Sequence, residues 1–370
     1  MPIRVTEIPL VDRLFLLGPP GIGKTEIIKQ LSEEEARKKG KIFVDLRKAK
    51  DEVLDNILEN PSKYFVYYRI IATHVFPEEL GVPRINGNPG KEYVEFLPPK
   101  ILKVLSLDEI EGVLFIDEIT NVQRDDQLAM LYSLLQEKEA SWLLKLPDSI
   151  KIIAAGNPME WSRIVQPLPE PLINRIIKYE VVEPTPEEWF NYMERRFGDR
   201  WEKLVYAYLR LFPDDMLKPP TGEDMQAFPT PRSWTNLAVT LYHLRQAGVS
   251  PAVIEETVVG GVGREVASKL LSLLRTNINV QAKLEAVKAD PSEFDKCTLE
   301  EKVLVLHALS QRKVVEMLEY KKFIEYLSVK HREFLMLFAM LMPKEKRVEF
   351  AKAFLTILRD ALNPIIRYIM

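Results

Sequence analysis

The sequence predicts an α/β fold, a parallel sheet flanked by helices, joined to a helical second half. Three observations carry this expectation. Up to about Glu183, short apolar runs alternate with helical patterns, which is the rhythm of strand–helix units in a parallel sheet. The stretch GPPGIGKT, residues 18–25, lies where the first apolar run meets the first helical pattern, the setting that a phosphate-cradling loop requires. After Pro184-Thr185-Pro186 the strand signals stop, and helical patterns punctuated by Pro and Gly continue to Met370.

The expected strands are 13–17, 42–46, 64–71, 113–116, 150–155 and 177–182. Several are continuous apolar runs, as strands covered on both faces should be. The helix after the loop has an apolar stripe of Ile27, Ile28, Leu31 and Ala36, with Glu33/Arg37, Glu34/Lys38 and Glu35/Lys39 as outward pairs four residues apart. Between residues 40 and 81 the pattern reads strand–helix–strand, and its place in the sheet is left open. Residues 81–99 carry Asn86-Gly87 and Pro89-Gly90 turn signals between short alternating runs, so a β-hairpin is expected there as an insertion with a polar, exposed tip.

Composition narrows the function classes. The 370-residue chain has apolar content for two cores. Its formal net charge of −3 supplies no global basic field for nucleic acid or an anionic membrane. The single cysteine, Cys297, excludes an internal disulfide framework and fits a reducing cytoplasm, with a packing role expected for the thiol. The first residues lack a long apolar segment, so a cytoplasmic, soluble protein is expected. His74, His243, His307 and His331 are scattered and give no metal-binding spacing.

The loop has a specific logic. Gly21 and Gly23 let the backbone turn its N–H groups inward at a phosphate chain, with Pro20 and Ile22 completing the cradle. The helix beginning near Lys24 adds the positive end of its dipole. Lys24 supplies a point charge to the outer phosphates, and the Thr25 hydroxyl suits one ligand position on Mg²⁺. The apolar run VLFIDEI, residues 113–119, delivers Asp117 and Glu118 at its carboxyl end, where ligands bind in open α/β sheets. Asp117 is suited to hold Mg²⁺ directly or through water, and Glu118 to polarise an attacking water. KIIAAGNP, residues 151–158, ends another buried run in Asn157, whose amide can orient that water. A nucleoside triphosphate with Mg²⁺ is the ligand pair these residues suit, and the resemblance described next implies that the nucleotide is ATP.

This combination resembles the AAA+ ATPases and, within them, the MoxR branch. PLPEPLINRI at 167–176 resembles a motif of that branch, and the 81–99 hairpin resembles its insert in the second core helix. FPTPRSW at 228–234 resembles the start of a lid helix carrying a sensor-2 arginine, and GGVGREVASKLL at 260–271 resembles a further lid element. The resemblance covers roughly residues 10–280. It implies Walker A at Gly21, Gly23, Lys24 and Thr25, Walker B at Asp117 and Glu118, and sensor 1 at Asn157. Arg175 would be the arginine finger that reaches a neighbouring subunit's phosphate, and Arg232 would be sensor 2. Thr230 as N-cap and Pro231 at the first helical position agree with the last assignment.

The implied organisation is a P-loop AAA+ core over 1–183, an α-helical lid over 184–290 and a helical C-terminal extension over 291–370. The implied activity is ATP hydrolysis by a homo-oligomeric ring, expected as a hexamer. Such a ring would act as a chaperone that remodels or matures a protein partner, with a von Willebrand factor A domain protein as the candidate. Tyr93 and Phe96 are either contacts at the pore or cross-strand packing within the hairpin. A motor acting on nucleic acid or a nuclease is the alternative, disfavoured by the charge balance. A nucleotide-dependent binding switch is a third.

Overall fold

The computed structural model describes residues 2–75, 82–88, 91–141, 144–161, 165, 168–220, 226–275 and 280–358. It divides into two compact units, Met1–Pro184 and Thr185–Met370.

The first unit is built on a seven-stranded sheet in which every neighbouring pair is parallel. Its strands are β1 (Ile3–Arg4), β2 (Leu14–Leu17), β3 (Ile42–Asp45), β4 (Tyr64–Ile71), β7 (Glu111–Asp117), β10 (Ile150–Gly156) and β11 (Ile177–Val182). The spatial order is β1-β11-β2-β10-β7-β4-β3. The central strands are apolar along their length because helices cover both faces: Leu14, Phe15 and Leu16 of β2, Val113 to Ile116 of β7 and Ile152 to Ala155 of β10 are buried. Helices α1 (Lys24–Lys38), α2 (Asp51–Glu59), α3 (Lys100–Leu105), α4 (Asp125–Glu137) and α5 (Glu170–Ile173) accompany them.

Register positions the site. Leu17 lies opposite Gly156, Ala154 opposite Ile116, and Ile71 opposite Asp117. The carboxyl ends of β2, β10, β7 and β4 therefore come level at one edge of the sheet. The segment whose place the sequence left open is settled here: β3 pairs with β4 in register from Ile42–Tyr64 to Asp45–Tyr67, which makes β3 the outer strand, and α2 joins the two.

Two features go beyond the expected strands. β1 adds two residues beside β11, and a short antiparallel pair, β8 (Glu139–Ser141) and β9 (Leu144–Lys145), follows α4. The expected insertion is a two-stranded antiparallel hairpin, β5 (Val82–Asn86) with β6 (Tyr93–Leu97). Of its expected turn, Pro89-Gly90 lies outside the described residues.

The second unit is helical: α6 (Pro186–Phe197), α7 (Lys203–Leu211), α8 (Pro231–Gln246), α9 (Pro251–Val262), α10 (Arg264–Arg275), α11 (Val280–Ala289), α12 (Leu299–Gln311), α13 (Val314–Met317), α14 (Lys321–Lys330), α15 (Arg332–Leu341) and α16 (Lys344–Leu358). Capping boxes start three of them. Thr185 and Glu188 close α6, Thr230 and Ser233 close α8, and Thr298 and Glu301 close α12, each pair satisfying orphan N–H groups reciprocally. One apolar cluster runs from Trp189 to Phe354, so residues on both sides of position 290 share a core: Leu284 and Val287 pack with Phe294 and Val303.

A buried charge cluster fastens the end of this unit to its beginning. The Glu194 carboxylate of α6 accepts from Lys203, and its other oxygen lies 2.8 Å from Nη2 of Arg347 on α16. The Lys203 ammonium sits 4.1 Å from the Trp201 ring centre, and the Arg347 guanidinium 5.2 Å from that of Phe190. Arg347 also donates to the carbonyls of Met340 and Met342. Burial pushes the Lys203 pKa down, and the attraction of Glu194 opposes that shift. Removing the carboxylate would leave two buried cations facing each other, with only the more exposed Asp199, 3.6 Å from Lys203, as a counter-charge. Glu194→Gln should therefore destabilise this unit by about 3 kcal/mol, read as a lowered midpoint in urea unfolding.

Candidate functional site

The loop between β2 and α1 turns because Gly21 and Gly23 take φ of 78° and 104°, a region open to glycine at little steric cost. Gly23 is the N-cap of α1 and supplies no side-chain cap, so the first N–H groups of the helix remain available to an anion. Ile22 is buried at 2% exposure, so its part in a phosphate cradle is confined to its backbone. Pro20 is half-buried.

Lys24 is the first residue of α1, and its side chain folds back under the loop. Its ammonium donates to the carbonyls of Gly18 at 2.6 Å and Pro19 at 2.8 Å, and to Asn157 Oδ1 at 3.2 Å. A charge only 7% exposed is thus presented on fixed partners at the sheet edge. Thr25 donates from Oγ1 to Asp117 Oδ2 at 2.8 Å. The expected residues at the start of α1 and at the ends of β7 and β10 therefore meet.

The turn after β7 is unusual. Glu118 adopts φ 60° and ψ 32°, a left-handed conformation uncommon outside glycine and costly for a non-glycine residue. Its N–H donates to Asp117 Oδ1 at 3.0 Å, and its Oε2 accepts from Asn121 Nδ2 at 3.4 Å. The strain aims two consecutive carboxylates differently: Asp117 is 7% exposed and turned towards Thr25, while Glu118 is only half-buried.

Three residues that the sequence did not single out complete the arrangement. Thr120 Oγ1 accepts the Asn157 N–H at 3.0 Å, and a Cβ on Gly156 would come within 2.5 Å of the Thr120 methyl. Only glycine lets the end of β10 approach this loop so closely. Asn121 holds the Glu118 carboxylate. Arg69, near the end of β4, donates from Nε to Asp117 Oδ2 at 3.0 Å, with Nη2 2.8 Å from the same oxygen. A single charged residue inside the run YFVYYRII was the available signal for Arg69.

Two expected site residues stand on other elements. Arg175 follows α5 and is 57% exposed; it donates to Gln136 and lies 4.0 Å from Glu137, both in the last turn of α4. The contacts of Arg175 are thus with α4 and not with the Lys24–Asp117–Asn157 group. Arg232 belongs to the second unit, where it is exposed in the first turn of α8 behind the Thr230 cap.

Chemically, the site offers inward N–H groups, an ammonium, and a hydroxyl and carboxylate oxygen in contact. Those oxygens fit a hard cation such as Mg²⁺, which fills its remaining positions from water and substrate phosphates. Among the described residues, no group of three His, Cys, Asp or Glu side chains is placed to hold a metal by itself. Among them, no helix is long and apolar enough to cross a membrane.

A phosphate loop, a strand-end Asp-Glu pair and a strand-end Asn on one parallel sheet form an arrangement suited to a nucleoside triphosphate. Residues 14–182 match the model of the ATPase family associated with various cellular activities, AAA, and the first unit has the P-loop fold of that family. No curated protein matches the chain. Solved structures similar to it include an ATPase from Cytophaga hutchinsonii, 16% identical over 70% of this chain and 84% of that one, with a TM-score of 0.30. The Thermotoga maritima RuvB Holliday junction branch migration motor is 15% identical over 75% and 68%, at 0.28. PCH-2 of C. elegans is 14% identical over 72% and 61%, also at 0.28.

Lys24→Ala removes the buried ammonium while leaving the loop backbone. Affinity for a fluorescent ATP analogue should fall at least about tenfold, the scale of one lost charge-assisted contact. Equal affinity in the two proteins would show that the nucleotide sits elsewhere.

Proposed function

We propose that this chain is a Mg²⁺-dependent, ATP-hydrolysing ring ATPase that remodels or matures a protein partner. The observation that carries this reading is the meeting of Lys24, Thr25, Asp117 and Asn157 at one sheet edge in a unit that matches the AAA family model and also bears an exposed apolar hairpin.

In this reading the loop N–H groups and Lys24 bind the phosphates, and Thr25 and Asp117 hold Mg²⁺, which supplies charge neutralisation when bound. Glu118 takes the proton of the attacking water, and its half-exposed carboxylate, steadied by Asn121, is available for that task. Asn157, fixed through Thr120, orients the water. Arg175 is the finger lent to a neighbouring subunit, supported by its exposure and by the 167–176 motif. Arg232 is the sensor-2 arginine of a lid over 184–290, with 291–370 as the extension. A homo-oligomeric ring, expected as a hexamer, follows from a finger that acts on the next copy.

The hairpin supports a protein partner. Pro83, Ile85, Val94 and Phe96 alternate onto one face as the cross-strand pairs Pro83–Phe96 and Ile85–Val94. Ile85 is 74% exposed and Val94 58%, an apolar surface suited to grip an unfolded or apolar segment. Tyr93, 60% exposed, stands on the other face opposite Asn86. The MoxR-like motifs make a von Willebrand factor A domain protein the candidate partner.

Glu118→Gln should keep nucleotide binding and lower kcat by about 10²- to 10⁴-fold. Arg175→Ala should slow hydrolysis by about 10³-fold or more with little loss of binding, and turnover equal to wild type would remove it as the finger. ATPase rates measured with candidate von Willebrand A protein and with DNA, at two salt concentrations, separate the partner classes. Stimulation by the protein that is lost in Ile85→Ser/Val94→Ser supports the remodelling reading. Stimulation by DNA that weakens steeply with salt would favour a nucleic-acid motor instead.

A further inference from the structure

Asp117 Oδ2 is a shared point: it accepts from the Thr25 hydroxyl at 2.8 Å and from Arg69 Nε at 3.0 Å, with Arg69 Nη2 at 2.8 Å. Thr25 and Asp117 are the two oxygen donors that fit a hard cation, so the guanidinium occupies the same carboxylate that a cation at this position would use. Arg69 is on β4, the strand beside β7, and its side chain keeps 29% exposure while the Asp117 side chain has 10%. The register explains the reach: Ile71 lies opposite Asp117, and Arg69 is two residues back on the same face of β4. From there its side chain spans the diagonal to the end of β7.

We propose that Arg69 is a positioning residue that serves as the resident counter-ion of Asp117 and competes with Mg²⁺ for its Oδ2, thereby setting the metal requirement of nucleotide binding. The inference rests on the nucleotide-site reading above. Two physical effects act together. A buried carboxylate without a cation is costly, so Arg69 keeps the Asp117–Thr25 pair assembled before the metal arrives. The same positive charge then opposes a divalent cation at the same oxygen, and at a site this shielded from water such opposition is felt strongly. Partial exposure lets the guanidinium withdraw towards solvent as the cation enters. Arginine suits this task because its planar fork reaches the carboxylate through two nitrogens and cannot lose its charge.

The test compares the affinity of the full chain for a fluorescent, non-hydrolysable ATP analogue in Mg²⁺ and in EDTA, which gives the gain due to the metal. R69Q keeps length and polarity but removes the charge. It should increase the metal-dependent gain about tenfold over wild type and move half-saturation to lower Mg²⁺. R69K keeps a charge but loses the fork, so its increase should be about two- to threefold. The direction separates a counter-ion from a mere support of the fold, since local damage would weaken the metal-dependent gain. An unchanged or reduced gain in folded R69Q overturns the proposal. If R69Q does not fold by circular dichroism, an unchanged or reduced gain in R69K overturns it equally. Failure of the underlying site reading looks different: wild type would bind no analogue in either condition, or K24A would bind as well as wild type.

Discussion

The first unit is organised around the buried carboxylate of Asp117. It receives a hydroxyl from α1, a guanidinium from β4 and the backbone N–H of Glu118 from its own turn. The farthest of the three donors in the chain, Thr25, lies 92 positions from Asp117. The three can converge only because parallel strands end level at one edge, with Leu17 beside Gly156 and Ile71 beside Asp117. A one-residue slip in either pairing would turn the relevant side chains to the other face. The apolar centres of β2, β7 and β10 fix that register, so the hydrophobic core and the polar edge specify one another.

Local strain is placed where the chemistry would be. Glu118 is held in a left-handed conformation immediately after the buried strand, and Thr120 then locks the loop to Asn157. A relaxed extended continuation would carry Glu118 onward along the strand direction and separate Thr120 from β10. The bend instead returns the chain across the end of β10, and the bare Gly156 admits it. Two carboxylates adjacent in sequence consequently have distinct surroundings, one buried among donors and one open to water. Different environments for adjacent acids are a general means of giving them different tasks.

Much of this was legible in the sequence because the signals were local. The phosphate loop, the apolar run before Asp117-Glu118, the Asn157 strand end and the Asn86-Gly87 turn each fall within a few residues. What escaped was non-local or short. β1 is two residues long and gains its identity only from β11, and β8 with β9 is too brief for any period to appear. Arg69 looked like an interruption of an apolar run; its meaning comes from register with a strand about 45 residues later. Thr120 and Asn121 carry no motif of their own, and only the fold of the Glu118 turn brings them to Asn157 and Glu118. In the second unit, the Glu194–Lys203–Arg347 cluster joins positions more than a hundred residues apart, beyond the reach of helical periodicity.

The central claim is that this level sheet edge is the triphosphate site. Hydrogen–deuterium exchange on the full chain, with and without Mg²⁺ and a non-hydrolysable ATP analogue, tests it most directly. The account predicts slowed exchange at the backbone amides of residues 21–25 and 117–121 and at Asn157, with the hairpin strands β5 and β6 unchanged before any partner is added. Protection confined to other segments, or absent at saturating nucleotide, would contradict it.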